Sequence, residues 1–384
     1  MAWSKIVGQE RVKNILQSFI KGDRIPHAIC MHGIEGIGKE ALALEFAGTV
    51  NCMDPIVSDN GIESCGECRS CRNFKKLQHE NLSMLFPLPT PKTKPAKDES
   101  VISKLTDPQI KEIQDEIAKK AENPYHKISI KNANMIKIAS IREVKRDLIL
   151  SSNAYGRRCV LVFDAEEMNA EAANAFLKTL EEPHENITIF LITSRPEMIL
   201  PTIISRCQMI RCEPLSDSHV TKALIEKHDI DEQEAKLVAV FAQGSLLRSE
   251  DFLDEGMKEL RQQVVDILRT ALKKRIYRLM LMKKIEEFIK SGDKKKNETF
   301  LNLMILWLRD ALLVAETGFT DGIINTDQSD IIKRFADNFK DRDISIAIQI
   351  VEKAISQIRK NVQMQLIYIN MFLELRRIFL DKAI

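Results

Sequence analysis

Residues 33 to 40 read Gly-Ile-Glu-Gly-Ile-Gly-Lys-Glu, the spacing of a phosphate-binding loop. In such a loop the backbone N–H groups of a Gly-rich turn and the next helix N-terminus cradle phosphate oxygens. A lysine contacts the terminal phosphates, and a Ser or Thr hydroxyl after it helps hold Mg²⁺. Gly33, Gly38 and Lys39 keep the cradle, but Glu40 stands where the hydroxyl belongs and adds negative charge beside the place of a polyphosphate. A carboxylate in a first helical turn is favoured by the macrodipole by about 0.3–1 kcal/mol, so Glu40 is expected to take over the anion site electrostatically. The apolar run Cys159 to Phe163 ends on Asp164, where a phosphate-loop enzyme places a second magnesium-organising carboxylate. The adjacent Glu that would polarise an attacking water is replaced by Ala165. Glu166 and Glu167 follow, but a slip of one or two residues at a strand end re-aims the side chain.

A second constellation is Cys52-x₁₂-Cys65-x₂-Cys68-x₂-Cys71. Four soft ligands at this density suit tetrahedral Zn²⁺, and four protein ligands leave no open position for a substrate water, so the expected metal is structural zinc. An iron–sulfur cluster, free thiols or a disulfide framework are the weaker readings. Arg69, Arg72, Lys75 and Lys76 read as a solvated basic rim, and no following helix carries a base-reading pattern. Cys30, Cys159 and Cys212 read as small core residues, and the seven histidines form no ligand cluster.

The elements that must position these groups alternate. Ala28 to Met31 is a short apolar strand running into the loop, and a helix from Lys39 to about Val50 leaves it. Leu82 to Leu88 is a further apolar run. The stretch Pro87 to Lys97, rich in Pro and Lys, opens a surface insertion over 87–127. It holds one amphipathic helix, Pro108 to Ala121, and is read as a solvated excursion without chemistry. Met135 to Ile138 is expected as a strand, with Ser140 capping a helix through about Ser151. Cys159 to Phe163 and Ile187 to Thr193 are buried strands flanking a helix over Ala170 to Leu180. The βαβα order predicts an α/β fold, a parallel sheet with helices on both faces. Beyond Glu213-Pro214 the strand signals stop. Ser216 and Asp231 are plausible helix starts, and longer helices run to the end. The expected domains are 1–214, an α/β core with the cysteine module over 52–71; 215–253, small and helical; and 254–384, helical.

Composition excludes little by itself. Lys and Arg number 57 against 55 Asp and Glu, a net charge of +2, so nucleic-acid contact would need a local basic patch. The most apolar long stretch, Leu301 to Phe319, is broken by Arg309, Asp310 and Glu316 and reads as a buried helix. Met1-Ala-Trp-Ser-Lys5 shows no leader pattern, so a cytoplasmic location is expected.

The run Asp164 to Pro183, then Ile187 to Thr193, then Leu200-Pro-Thr-Ile-Ile-Ser-Arg-Cys207 resembles the central block of bacterial clamp-loader subunits of the AAA+ class. Val7-Gly8-Gln9 and Pro26-His27-Ala28 are similar to the same family, as are Asn361 and Gln365-Leu366 near the end. The resemblance covers most of 1–214. It implies an AAA+ phosphate-loop core, a helical lid, and an all-α collar that mediates oligomerisation in a five-membered ring. The implied partners are the gamma/tau and delta subunits of the DNA polymerase III clamp loader, with the sliding clamp and primed DNA as the objects of loading. The four-cysteine arrangement occurs at this place in the family. The arginine of the Ser-Arg-Cys segment, Arg206, is implied to reach a neighbour's nucleotide in trans. A lid-helix arginine follows Gly-Ser in the family, but Gly244-Ser245-Leu246-Leu247-Arg248 has Leu247 there. One residue along a helix is roughly 100° of rotation, so Arg248 is not expected to face a nucleotide. Glu40, Ala165 and Leu247 together resemble the subunit class that hydrolyses no ATP and binds it weakly or not at all. Gly33, Gly38, Lys39 and Asp164 would then be vestigial. The alternatives are an ATP-hydrolysing gamma/tau-type subunit and a DNA-binding adaptor outside a ring.

Overall fold

Every candidate residue of the phosphate loop lies at the C-terminal edge of one parallel sheet in the computed structural model, which describes residues 2–59, 61–90, 100–149, 155–182, 186–254, 257–290, 294–359 and 362–380. The strands are β1 (Ala28–His32), β2 (Ile56–Ser58), β3 (Gly61–Glu63), β4 (Leu82–Leu85), β5 (Arg158–Val162), β6 (Ile187–Thr193) and β7 (Gln208–Arg211). Five of them form a sheet of order β4-β5-β6-β1-β7 with every pairing parallel, while β2 and β3 form a separate hairpin. The central strands are nearly continuous apolar runs because helices cover both of their faces. β7 was not legible in the sequence. It is an edge strand with Gln208 and Arg211 exposed and only Ile210 buried, too short an apolar signal to separate from loop.

Two cores flank the sheet. One packs helices Glu10–Lys21 and Lys39–Val50 on it through Leu16, Leu42 and Phe46, whose ring meets Phe190 edge-on at 5.2 Å. The other packs helices Ile138–Ile149 and Ala170–Glu181 through Ile141, Val144, Phe176 and Leu180.

Two expectations need correction. The insertion is not a solvated excursion. Its helix forms, over Asp107–Glu122, opened by a Thr106/Gln109 capping box with Pro108 in the first turn. However, its Ile110, Ile113 and Ile117 stripe, with Leu105, Ile128 and Ile130, joins the first core. An amphipathic stripe states that a face is buried and not against what. Of the Pro-Lys run, residues 91–99 lie outside the described residues. Met135 to Ile138 is likewise no strand. Ile136 makes a single bridge to Met168, and the helix begins at Ile138, with Ser140 buried inside its first turn. The bridge partner of Ile136, Met168, lies outside the sheet, so the pairing does not extend into a ladder. The expected helix end at Ser151 lies outside the described residues.

The chain divides into two compact units, Met1–Lys227 with Gln243–Leu247, and His228–Ala242 with Arg248–Ile384. In the first, the helix Asp217–His228 follows Ser216, whose Oγ accepts the His219 N–H. In the second, Asp231 caps Glu232–Ala242 by accepting the Glu234 N–H at 2.9 Å. The second unit is helical, with Phe300, Leu301, Trp307, Val351, Tyr368 and Phe372 in its interior. Its longest helix, Lys294–Thr317, buries Asp310, which takes three hydrogen bonds from Ile324 N, Asn325 N and Asn325 Nδ2. Among the described residues no helix is long and apolar enough to cross a membrane.

Candidate functional site

The phosphate loop is folded onto itself. Lys39 Nζ donates to Gly33 O at 2.7 Å and Ile34 O at 2.6 Å, and burial lowers its pKa. The ammonium that would meet a terminal phosphate is therefore occupied by its own loop. Gly36 (φ 73°) lies so close to the 245–247 turn that a Cβ would fall 2.3 Å from Ser245 Oγ and 2.6 Å from Leu247 Cβ. Leu246 N–H donates to Gly36 O at 2.9 Å, so Leu247 seals the loop where the family pattern has an arginine.

Glu40, in the first turn of the helix as expected, also has a dedicated partner. It is ion-paired to Lys120 of the insertion, whose side chain is fully buried and donates as well to His126 O at 2.7 Å. Asp164 sits in the left-handed region (φ 49°) just past β5. Lys127 Nζ lies 3.3 Å from Asp164 Oδ1 and 2.6 Å from Glu35 Oε1. Burial would lower the Lys127 pKa, but Asp164 and Glu35 outweigh it and hold the ammonium charged. Burial pushes the Asp164 pKa up to about 6; Glu40, Glu166 and Glu35 add to the shift while Lys127 opposes it. Ala165 is buried. Glu166 is held by one oxygen: its Oε1 accepts from Ser194 Oγ at 2.9 Å and Ser194 N at 3.2 Å, while its buried Oε2 has no hydrogen-bond partner among the described residues. Burial would raise its pKa, yet hydrogen bonds from Thr193 and Ser194 lower it. Glu167 is paired with Arg195. The cavity left among Glu35, Lys39, Glu40, Tyr125, Lys127 and Asp164 is about 30 Å³. That holds a water or two, while a neighbouring cavity of about 270 Å³ opens on the other side of Lys127, lined by Glu35, Asp164, Glu166, Glu167 and Arg195.

Sequence reasoning placed Gly33, Gly38, Lys39, Glu40, Asp164 and Leu247 around one point, and the structure brings them there. It missed Glu35, Lys120, Tyr125 and Lys127. Nothing in a lysine's identity tells which carboxylate it meets across 80 residues of chain.

The raised Asp164 pKa carries a stability consequence. Between about pH 4 and 6 the folded chain holds a proton that the unfolded chain has released, so this group's contribution falls as pH rises through that window. Ionised Asp164 then costs on the order of 2–3 kcal/mol near neutrality. Asp164→Asn is expected to raise the thermal midpoint near pH 7.5 and to gain only about a third as much near pH 4.5. A gain of equal size at both pH values would show that Asp164 is not the titrating group.

Arg206 stands just beyond the short helix Pro201–Ile204 and is about one-third exposed. Its guanidinium donates to Thr202 O and to Glu181 Oε1, both at 2.8 Å, and none of its partners belongs to the loop. It is held at the surface of its own unit.

The four cysteines converge. The Sγ atoms of Cys52, Cys65, Cys68 and Cys71 all lie within 4.8 Å of one another, with Cys71 to Cys52 at 3.5 Å and Cys65 to Cys71 at 3.9 Å. A disulfide needs about 2.05 Å, whereas a tetrahedron of sulfurs each about 2.3 Å from a central ion has edges near 3.8 Å. Backbone N–H groups of Cys65, Cys68 and Cys71 donate to the preceding sulfurs, as thiolate ligands require. The donor set fits a closed four-sulfur metal site. Ser70 Oγ donates to Asn51 O at 2.6 Å and His79 stacks on Phe74 at 4.3 Å, fixing the module to the end of helix Lys39–Val50. Arg69, Arg72, Lys75 and Lys76 are exposed around it, as expected of a rim.

Comparison with known proteins agrees along the chain. The family described as DNA polymerase III, delta subunit, matches residues 8–216, and the family described as its C-terminal part matches 257–377. The chain is 26% identical over 358 residues to the DNA polymerase III subunit delta' of Bacillus subtilis, covering 93% of each. It is 29% identical over 252 residues to the subunit of the same name from Pseudomonas aeruginosa, covering 65% of this chain and 62% of that one. A gamma subunit-related protein of Thermotoga maritima aligns over 96% of this chain and 98% of its own at 17% identity, with a TM-score of 0.41.

Proposed function

Because the chain belongs to the DNA polymerase III delta-subunit family and is a delta-prime-like subunit of the clamp loader, we propose that it hydrolyses no ATP itself and acts as a structural and completing member of the ring. The observation that carries this reading is the occupied loop: Lys39 is turned onto Gly33 and Ile34, Lys127 sits on Glu35 and Asp164, and the space directly over Lys39 and Gly38 is about 30 Å³. Ala165 carries no base, and Glu166 has its Oε1 held by Ser194. Restoring a hydroxyl at position 40 would not reverse this, since Lys120 would then be buried without its carboxylate.

In this reading the subunit assembles with gamma/tau and delta subunits and supports loading of the sliding clamp onto primed DNA from the cytoplasm. It presents Arg206 to a neighbouring ATP. The segment 254–384 supplies the lasting interface, with 215–253 as the lid remnant. The metal at the cysteine module is zinc, held by Cys52, Cys65, Cys68 and Cys71, and its role is structural because no coordination position is left open.

Equilibrium titration of the purified chain with Mg²⁺-ATP is expected to show no saturable binding at micromolar nucleotide, and turnover is expected to equal the buffer blank. Micromolar affinity with measurable turnover would favour the gamma/tau-type alternative instead.

A further inference from the structure

The insertion delivers three side chains to one place. Lys120, fully buried, meets Glu40. Lys127 lies within 2.6 Å of a Glu35 oxygen and 3.3 Å of an Asp164 oxygen. Between them Tyr125 lies over Gly38, its ring 3.2 Å from where a Cβ there would stand, and its hydroxyl accepts the Val7 N–H at 2.8 Å. These contacts rest on a packed base, since Leu105, Ile113, Ile128 and Ile130 are buried in the core.

We propose that Lys120 to Lys127 is a built-in occupant of the former nucleotide site, with the Lys127 ammonium replacing a divalent cation between Glu35 and Asp164. The proposal deepens, and rests on, the reading of the site as one that binds no nucleotide. The physical argument is charge balance. Glu35, Glu40 and Asp164 converge at the mouth of the loop, and such carboxylates repel unless a cation lies among them. Mg²⁺ would supply two charges but needs near-octahedral oxygen ligands and carries its own water. A tethered ammonium supplies one charge with no loss to solution, Lys120 supplies the second, and Lys39, which also faces Glu40 and Glu35, the third. Tyr125 fills the space above the loop. The charges at the mouth of the loop are thereby balanced without nucleotide or Mg²⁺.

The test is cation rescue in the full chain. Lys127→Ala is expected to lower the thermal midpoint by roughly 3–6 °C, and millimolar Mg²⁺ is expected to restore most of that loss, beyond what KCl of equal ionic strength does. Wild type and Lys127→Arg are expected to be insensitive to Mg²⁺. A Lys127→Ala midpoint that is unchanged, or lowered but blind to Mg²⁺, overturns the proposal. Should Lys127→Ala not fold, the double variant Lys127→Ala/Asp164→Asn, which also removes a carboxylate, is expected to fold. Its failure to fold would assign Lys127 to packing and sink the idea. Tight Mg²⁺-ATP binding by wild type would instead overturn the underlying reading, so the two failures are distinguishable.

Discussion

Cys71→Ser is expected to abolish stoichiometric binding of the proposed zinc and to lower the thermal midpoint of the chain by about 10 °C or more. The ligand is buried, and its sulfur lies 3.5 Å from that of Cys52 and 3.9 Å from that of Cys65. Structural zinc supplies an apparent 10–16 kcal/mol to isolated finger-like peptides. Only part of that is at stake where a sheet core folds beside the module, and several kilocalories per mole correspond to roughly 2–4 °C each for a unit of this size. The loss reaches the loop because Cys52 directly follows helix Lys39–Val50, whose other end carries the Gly-rich turn. Metal analysis of purified protein and thermal melts with and without a chelator check it. Cys207→Ser, outside the cluster, serves as the control. One zinc per chain retained by Cys71→Ser, with an unchanged melt, would remove the metal assignment.

Arg206→Ala, in a loader rebuilt from purified subunits, is expected to reduce ATP turnover at the one neighbouring site it faces by at least 10²-fold. Arginines supplied to a γ-phosphate contribute about 10³ to 10⁵ in the best-studied phosphoryl-transfer systems. Arg206→Lys should recover little, since an ammonium lacks the planar fork. In the single chain the guanidinium is paired with Glu181, about one-third exposed against a half-exposed partner. Such a pair contributes no more than about 1 kcal/mol to stability. Glu181→Ala separates the two roles: it breaks the pair yet leaves the arginine, so turnover should stay near wild type. If Arg206→Ala left turnover of the rebuilt loader unchanged, the trans role would be wrong. If Glu181→Ala reduced it equally, the arginine would be serving the fold of its own unit.

Much of the molecule can be read from local chemistry. Strand, loop and helix around Gly33 to Val50 follow from an apolar run, three glycines and a helix-forming stretch. The strand Ile187–Thr193 is legible for the same reason: seven apolar or β-branched residues admit few alternatives. The cysteine spacing by itself points to a four-sulfur metal site, because ligand number and softness are properties of the residues themselves. The departures Glu40, Ala165 and Leu247 were legible because each lacks or adds a functional group at a defined step of a motif.

What the chain alone could not decide is which surfaces meet. The Ile110, Ile113 and Ile117 stripe announced a buried face without naming its partner, so the insertion read as an excursion when it belongs to the core. Likewise Glu40 announced a lost magnesium ligand but not the lysine, 80 residues away, that neutralises it. Periodicity and motif spacing are local, whereas burial and charge pairing depend on distances across the sheet. Sequence therefore determined that Glu40, Ala165 and Leu247 depart from the phosphate-loop pattern, and only the tertiary structure decided which side chains pack against that loop.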